Sequence, residues 1–325
     1  MTIETEMMTI IKAAMRSRAS DIYWLPAQSG YQVSIQAAGH LQPLMTLDTA
    51  SAERLINHVK YRSNMAISDH RRPQLGAMNV MVGGQRLDLR ISTVGDFLDR
   101  ESLVVRLLYA LDNQQFRYLI PGQREQLRTL LRGSGLILFS GPMGSGKTST
   151  MYDLARELRG KRVVMTIEDP VEVYEPAFLQ LQVNPTAQMA YPELLKVGLR
   201  HHPDVFIIGE IRDAKTAQIA VQAALSGHLV LSTLHARGVY GIPARLTQLG
   251  VAPALLGETL RAAVYQRLVT LTDGQPATLF DIAPVSTDLL TTTDRLMTVK
   301  WGQLIDEQLD AKRLTPALAA ELKGA

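Results

Sequence analysis

Residues 135–150, GLILFSGPMGSGKTST, leave the fold little freedom. GLILFS carries no charge and reads as a buried strand. It ends at a glycine-rich turn, and a helix-compatible run follows. The turn has the form G-x-x-x-x-G-K-[ST], between strand and helix as that pattern requires. Gly141, Gly144 and Gly146 let the backbone close around a phosphate with its amide N–H groups turned inward. The helix adds the positive end of its dipole. Lys147 is placed to reach the β- and γ-phosphates, and the Thr148 hydroxyl to bind Mg2+. The expected nucleotide-binding segment is therefore Gly141, Pro142, Met143, Gly144, Ser145, Gly146, Lys147, Thr148 and Ser149. A glycine-rich turn that merely precedes a helix is the alternative, and the flanking elements argue against it.

Strand and helix keep alternating downstream. RVVMTIED (162–169), DVFIIGE (204–210) and HLVLSTLH (228–235) read as apolar strands, with helices at 149–159, 191–200 and 214–225. A further helix at 124–132 precedes the first strand. This order predicts an α/β domain with a parallel sheet and crossover helices over 124–325. Ligands of such sheets sit beyond the carboxyl ends of the strands.

Residues 1–110 read differently. Met7, Ile10, Ile11 and Ala14 fall on one face of a packing helix. YQVSIQAAGHL (31–41), AMNVMVGGQRLDLRIST (77–93) and SLVVRLL (102–108) show near period-two patterning, and Gly83-Gly84 signals a hairpin. A smaller α+β domain with an antiparallel sheet is expected here. The polar stretch through Pro121-Gly122 marks 111–123 as the linker.

Bulk composition narrows the function. A length of 325 residues suits two domains. With no cysteine, disulfides and thiolate-bound zinc are excluded, so no structural zinc is expected. The net charge of +3 comes without a basic arm, which argues against direct nucleic-acid binding. No apolar run approaches the ~20 residues of a membrane span, and the N-terminus is not a signal peptide. A cytoplasmic location is expected. The absence of N-K-x-D argues against a GTPase, and no arginine-rich lid suggests a small-molecule kinase.

Acidic groups end two strands. In TIEDPVE (166–172), Pro170 stops the strand beside Glu168, Asp169 and Glu172. A carboxylate there can serve as a general base. A solvated acidic turn is an equal alternative on local grounds. In DVFIIGEIRD (204–213), Gly209 stands where an Mg2+-steadying Asp is expected, and Glu210 follows. His228 and His235 flank the last strand and point to opposite faces, so they do not chelate one metal. They are read as hydrogen-bonding the γ-phosphate or the acidic turn, with a structural role as the alternative for His228.

Together GPMGSGKTST, TIEDPVE, HPDVFIIGEIRDAKTAQIAVQAALSGHLVLSTLHA and YQRLV (265–269) resemble the secretion ATPases. These are the motors of type II secretion, type IV pili and competence pseudopili. ASDIYWLP (19–26), RRPQLG (71–76), DLRIST (88–93) and VVRLL (104–108) are similar to the family's first-domain signatures. The resemblance implies a C-terminal RecA-like P-loop domain and a smaller N-terminal α+β, PAS-like domain. It implies ATP hydrolysis with Mg2+ held by Thr148 and Glu210. Glu168 would activate the water and Glu210 would organise Mg2+ or its water, although the two roles could be exchanged. His235 belongs to the motif similar to the His box. Arg90 and Arg106 match arginines that bring positive charge to the γ-phosphate, and Arg72 is a weaker candidate.

The implied partners are other copies of the chain in a homo-hexamer and a polytopic membrane platform protein. The implied location is peripheral, at the inner face of the cell membrane. Tyr23 replaces the family's usual His. Ser34 and Gln36 stand where arginines are usual, and Ala38 where an Asp is usual. The compact, cysteine-free form most resembles competence pilus assembly ATPases. Pilus retraction and type II secretion are the alternatives. A regulatory nucleotide-binding protein is disfavoured by intact Lys147, Glu168 and Glu210. A nucleic-acid translocase is disfavoured by an aromatic content of only 6%.

Overall fold

In the computed structural model, which describes residues 2–37, 40–109, 117–184 and 187–324, the apolar stripe near the N-terminus is a helix, α1 (Ile3–Arg16). Its buried residues are Met7, Ile10, Ile11 and Ala14, the face expected from spacing. Strands β1 (Asp21–Ala27), β2 (Gly30–Ala37) and β3 (His40–Leu47) follow, then a second helix, α2 (Thr49–Arg62). Next come β4 (Gln74–Val82), β5 (Gln85–Gly95) and β6 (Glu101–Leu108). Among the described residues these strands form a six-stranded sheet in the order β3-β2-β1-β6-β5-β4, with neighbours antiparallel. Gly83 and Gly84, both at positive φ, make the β4–β5 turn.

Helix α2 was not expected. Its sequence still carries the helical signature: Asp48 caps the first turn, and Ala52, Leu55, Ile56, Val59 and Lys60 line the buried side. Lys60 is admitted to the core because its Nζ meets Glu101 Oε1 at 2.7 Å and the Asp69 carbonyl at 2.8 Å. His70 Nδ1 lies 3.0 Å from the other Glu101 oxygen.

The chain divides into two compact units, Met1–Asn113 and Gln114–Ala325. Residues 111–116 of the expected linker lie outside the described residues. Its other end belongs to the second unit: Leu119 is buried, and Leu119 N–H donates to the Thr278 carbonyl. Helix α3 (Pro121–Leu130) begins at Pro121, three residues before the expected start. Proline there is a helix start rather than a turn, because its fixed φ suits the first helical position.

The second unit continues with β7 (Gly135–Ser140), α4 (Lys147–Arg156), β8 (Val164–Glu168), β9 (Leu179–Gln182) and α5 (Tyr191–Arg200). Then come β10 (Val205–Glu210), α6 (Ala214–Leu225), β11 (Leu229–Thr233), α7 (Gly241–Gln248) and α8 (Pro253–Thr259). The last elements are β12 (Leu260–Thr270), β13 (Pro276–Pro284), α9 (Thr287–Thr291), α10 (Val299–Asp310) and α11 (Pro316–Lys323). Among the described residues the sheet has seven strands in the order β13-β12-β7-β11-β10-β8-β9. The pairs from β12 to β9 are parallel, and β13 is antiparallel to β12. Strands β7, β8 and β11 are buried throughout, as the unbroken apolar runs require of a sheet covered on both faces. Parallel order brings the ends of β7, β8, β10 and β11 to one edge, and that edge carries the chemistry.

Candidate functional site

The turn from β7 into α4 is shaped by backbone. Gly141 has φ +141°, and a Cβ there would overlap the carbonyl oxygen of Gln266 in β12. Gln266 is fully buried and its Nε2 donates to the Ser145 carbonyl at 2.5 Å. Strand β12 thus holds the loop at two points. Gly146 caps α4 at φ +84° with no side-chain hydrogen bond, leaving the first-turn amides of α4 to a ligand. Pro142, Met143 and Gly144 are exposed at the tip, and Ser145 is buried.

Lys147 Nζ donates to the Gly141 carbonyl at 3.0 Å and the Pro142 carbonyl at 2.9 Å. Burial lowers its pKa, while the charges of Glu172 and Glu210 oppose that shift. Thr148 and Ser149 are half-buried in the first turn. A cavity of about 480 Å3 adjoins the loop, lined by Gly141, Pro142, His235, Ala236, Arg237 and Tyr265.

Glu168 ends β8 and is 2% exposed, so the solvated-turn reading fails for it. It accepts a 2.5 Å hydrogen bond from the Tyr152 hydroxyl of α4. Burial raises its pKa, and the Tyr152 bond opposes this. Asp169 and Glu172 are exposed. Glu175, a few residues on, is buried against Arg156 and Arg159 as a structural ion-pair hub.

Glu210 ends β10, half-buried. It pairs with Arg212, and its Oε2 lies 3.6 Å from His235 Nε2. The glycine before it has a local cause. A Cβ on Gly209 would stand 3.0 Å from the Tyr191 hydroxyl and 3.5 Å from Glu168 Cγ. The next acid, Asp213, is a helix cap: its carboxylate accepts from Thr216 N and Oγ1, both at 2.9 Å.

His228 does not join this edge. It precedes β11 at the opposite end, its Nδ1 2.7 Å from the Pro203 carbonyl and its ring edge-on to Phe206. The expected phosphate or acidic-turn contact is corrected for His228: it is a structural histidine, because parallel strands place their first and last residues on opposite edges.

Arg90 and Arg106 lie in the first unit, directly opposite each other across β5 and β6. Arg106 Nε donates to Asp21 Oδ1 of β1 at 2.8 Å. Arg72 is an exposed side chain 3.7 Å from Asp69. Tyr23 pairs with Ser34, and Asp21 with Gln36, across β1 and β2. Ala38 lies outside the described residues.

The fold therefore gathers Lys147, Thr148, Glu168, Glu210 and His235 in one unit and pairs Arg90 with Arg106 in the other. Tyr152, Gln180, Arg212 and Gln266 were missed as site residues. Gln266 lies inside YQRLV, and Arg212 inside GEIRD; Tyr152 and Gln180 carry no local signal. The donor set fits a magnesium nucleotide: loop and helix amides for phosphate, and a hydroxyl and a carboxylate as hard oxygen ligands.

Strand, phosphate loop, helix and carboxylates at the carboxyl edge of a parallel sheet define a P-loop ATPase. The chain belongs to the type II/IV secretion system protein family, whose model matches residues 1–298. It is 39% identical over 260 residues to the competence protein ComGA of Streptococcus pneumoniae, covering 80% of this chain and 82% of that one. It is 38% identical over 268 residues to type II secretion system protein E of Dickeya dadantii, covering 80% of this chain. It spans about half of that relative's length, 53%. Its fold matches the ATPase DotB of Legionella pneumophila with a TM-score of 0.78 at 19% identity, covering 99% of this chain and 96% of that one.

Proposed function

We propose that this chain is a motor ATPase of a secretion or pilus machine. The observation that carries the reading is the convergence of Lys147, Glu168 and Glu210 at one sheet edge. Lys147 and the amides of 141–149 bind the triphosphate. Glu168 accepts the proton of the attacking water. Glu210 and Thr148 hold Mg2+, which supplies charge neutralisation at the phosphates. His235, beside Glu210, senses the terminal phosphate. Arg90 and Arg106 bring positive charge to it.

The first unit, a six-stranded antiparallel sheet with two helices, is read as the PAS-like module, with domains at 1–110 and 124–325. The working form is a homo-hexamer on a polytopic membrane platform protein, at the inner face of the cell membrane. Among the described residues no helix is long and apolar enough to cross a membrane, which accords with a peripheral place. Competence relatives and type II secretion relatives match at nearly equal identity. That favours the shared motor activity, with type II secretion or pilus retraction as its setting, over the narrower assignment to competence pilus assembly.

The test is ATP hydrolysis per molecule against protein concentration, with Mg2+. Specific activity is expected to rise steeply and saturate, and Arg90→Ala or Arg106→Ala to abolish the rise. A flat rate across dilution from a monomer would refute the shared site.

A further inference from the structure

We infer that Tyr152 is a positioning residue, which holds the Glu168 carboxylate and ties it to the phosphate-binding helix. The inference rests on Glu168 being the general base, as proposed above.

Tyr152 is a phenol at 0% exposure whose hydroxyl is hydrogen-bonded to Glu168 and Gln180. It donates to Glu168 Oε1 at 2.5 Å and accepts from Gln180 Nε2 at 2.7 Å. Gln180 also donates to the Val173 carbonyl at 2.7 Å, and its Oε1 accepts from Glu175 N at 2.8 Å. The amide is therefore fixed, and its donor faces the phenol oxygen. An ionised Glu168 can only accept, so with Gln180 donating to the phenol oxygen the phenol proton goes to Glu168.

A buried carboxylate must be ionised to accept a proton, and burial works against ionisation. A phenol that donates to the charged form works the other way. The groups facing Glu168 are Tyr152 from α4, Thr166 from its own strand, Glu172 from the following turn and Tyr191 from α5. A Cβ added at Gly209 of β10 would meet its Cγ, and Glu210 is next along. The two carboxylates would each disfavour ionisation; Thr166 and the Glu172 backbone N–H work the other way, and Tyr152 does so most strongly.

The same residue links base to substrate. Tyr152 stands five positions after Lys147 on α4, about 7.5 Å along the axis. A rigid helix that settles on the phosphates carries the phenol with it, and the phenol carries the carboxylate.

The experiment measures kcat, KM for ATP and the kcat–pH profile of Tyr152→Phe, Glu168→Gln and a chain with difluorotyrosine at 152. Activity requires ionised Glu168, so it is lost as pH falls through the pKa of that group. Removing the hydroxyl raises that pKa, and the acid limb of Tyr152→Phe is expected about one to two pH units higher, the worth of a hydrogen bond to a charged group. KM is expected to stay near wild type. Difluorotyrosine keeps the shape, donates more strongly and should move the acid limb down, so a poorly folded phenylalanine variant does not end the test. If Glu168→Gln is inactive while both Tyr152 variants keep the wild-type profile, the inference is overturned and the base reading stands. If Glu168→Gln keeps wild-type turnover, the base reading fails and the inference with it.

Discussion

Gly209→Asp restores the acid that a nucleotide-binding sheet is expected to carry before Glu210, and the structure predicts that it harms the enzyme. The new Cβ would sit 3.0 Å from the Tyr191 hydroxyl and 3.5 Å from Glu168 Cγ. The new carboxylate then lies roughly 5 Å from that of Glu168, and at an effective dielectric of about 20 their repulsion is about 3 kcal/mol. That equals about two pK units, in the direction in which burial already moves Glu168. With Glu168 as base, the acid limb of the turnover–pH profile is expected to move up by about two pH units, so that lost turnover recovers as the pH is raised. Gly209→Ala separates charge from bulk. Its methyl is tight against a hydroxyl at the end of a side chain, so a stability loss of about 1 kcal/mol with a wild-type pH profile is expected. The assay is phosphate release at saturating Mg-ATP across pH, with thermal melting as the folding control. Faster turnover, or a lower Mg2+ requirement, in Gly209→Asp would refute the reasoning.

Three further outcomes are expected. Gly141→Ala, at φ +141° and against the Gln266 carbonyl, should displace the phosphate loop and weaken binding of a fluorescent ATP analogue by about tenfold, about 1.4 kcal/mol. Lys60→Ala strands Glu101, 5% exposed, without its ammonium partner, and should lower stability to urea by about 3–5 kcal/mol; Lys60→Met with Glu101→Leu should recover most of it. Asp96 accepts from Arg100 N at 2.9 Å and Leu98 N at 2.8 Å, and hydrogen bonds, that from the Arg100 backbone first, hold its pKa below the usual 3.8. A depressed carboxylate stabilises above its unfolded pKa and loses that contribution as pH falls through the folded one. The urea-midpoint gap between wild type and Asp96→Asn should therefore be open at neutral pH and close as the solution is acidified through the carboxylate range.

The phosphate loop, the alternation around it and the α1 stripe were legible because each is a local pattern. The hairpin at Gly83-Gly84 was legible for the same reason. Helix α2 was equally local, and Asp48 with the 52–55–56–59 spacing could have found it; a charged Lys60 in the apolar stripe obscured the period. Strand β12 was missed because YQRLV was read as a motif and not as part of a strand, and β13, its antiparallel partner, was missed with it. The roles of Tyr152, Gln180 and Gln266 are tertiary: each matters through a partner 16, 28 or 121 residues away. His228 shows the reverse limit. Its spacing from His235 was visible, but the parallel topology decides that they serve opposite edges.

Arg90 and Arg106 expose a link between a departure from the family pattern and the proposed site. Antiparallel register sets the two directly opposite, where like charges destabilise a strand pair. Asp21, opposite Arg106 on the other neighbouring strand, offsets this at 2.8 Å. On its far side Asp21 faces Gln36, where the family usually has an arginine. An arginine at 36 would compete for the same carboxylate; glutamine leaves Asp21 to hold Arg106. If Arg106 acts on a phosphate as proposed, it would have to leave that carboxylate. The arginine is 56% exposed but the Asp21 side chain only 9%, so losing the arginine leaves a largely buried carboxylate without its cation. A charge-assisted bond to phosphate returns about 1.5–3 kcal/mol. The pair therefore orders Arg106 within the first unit, and Gln36→Arg should loosen it.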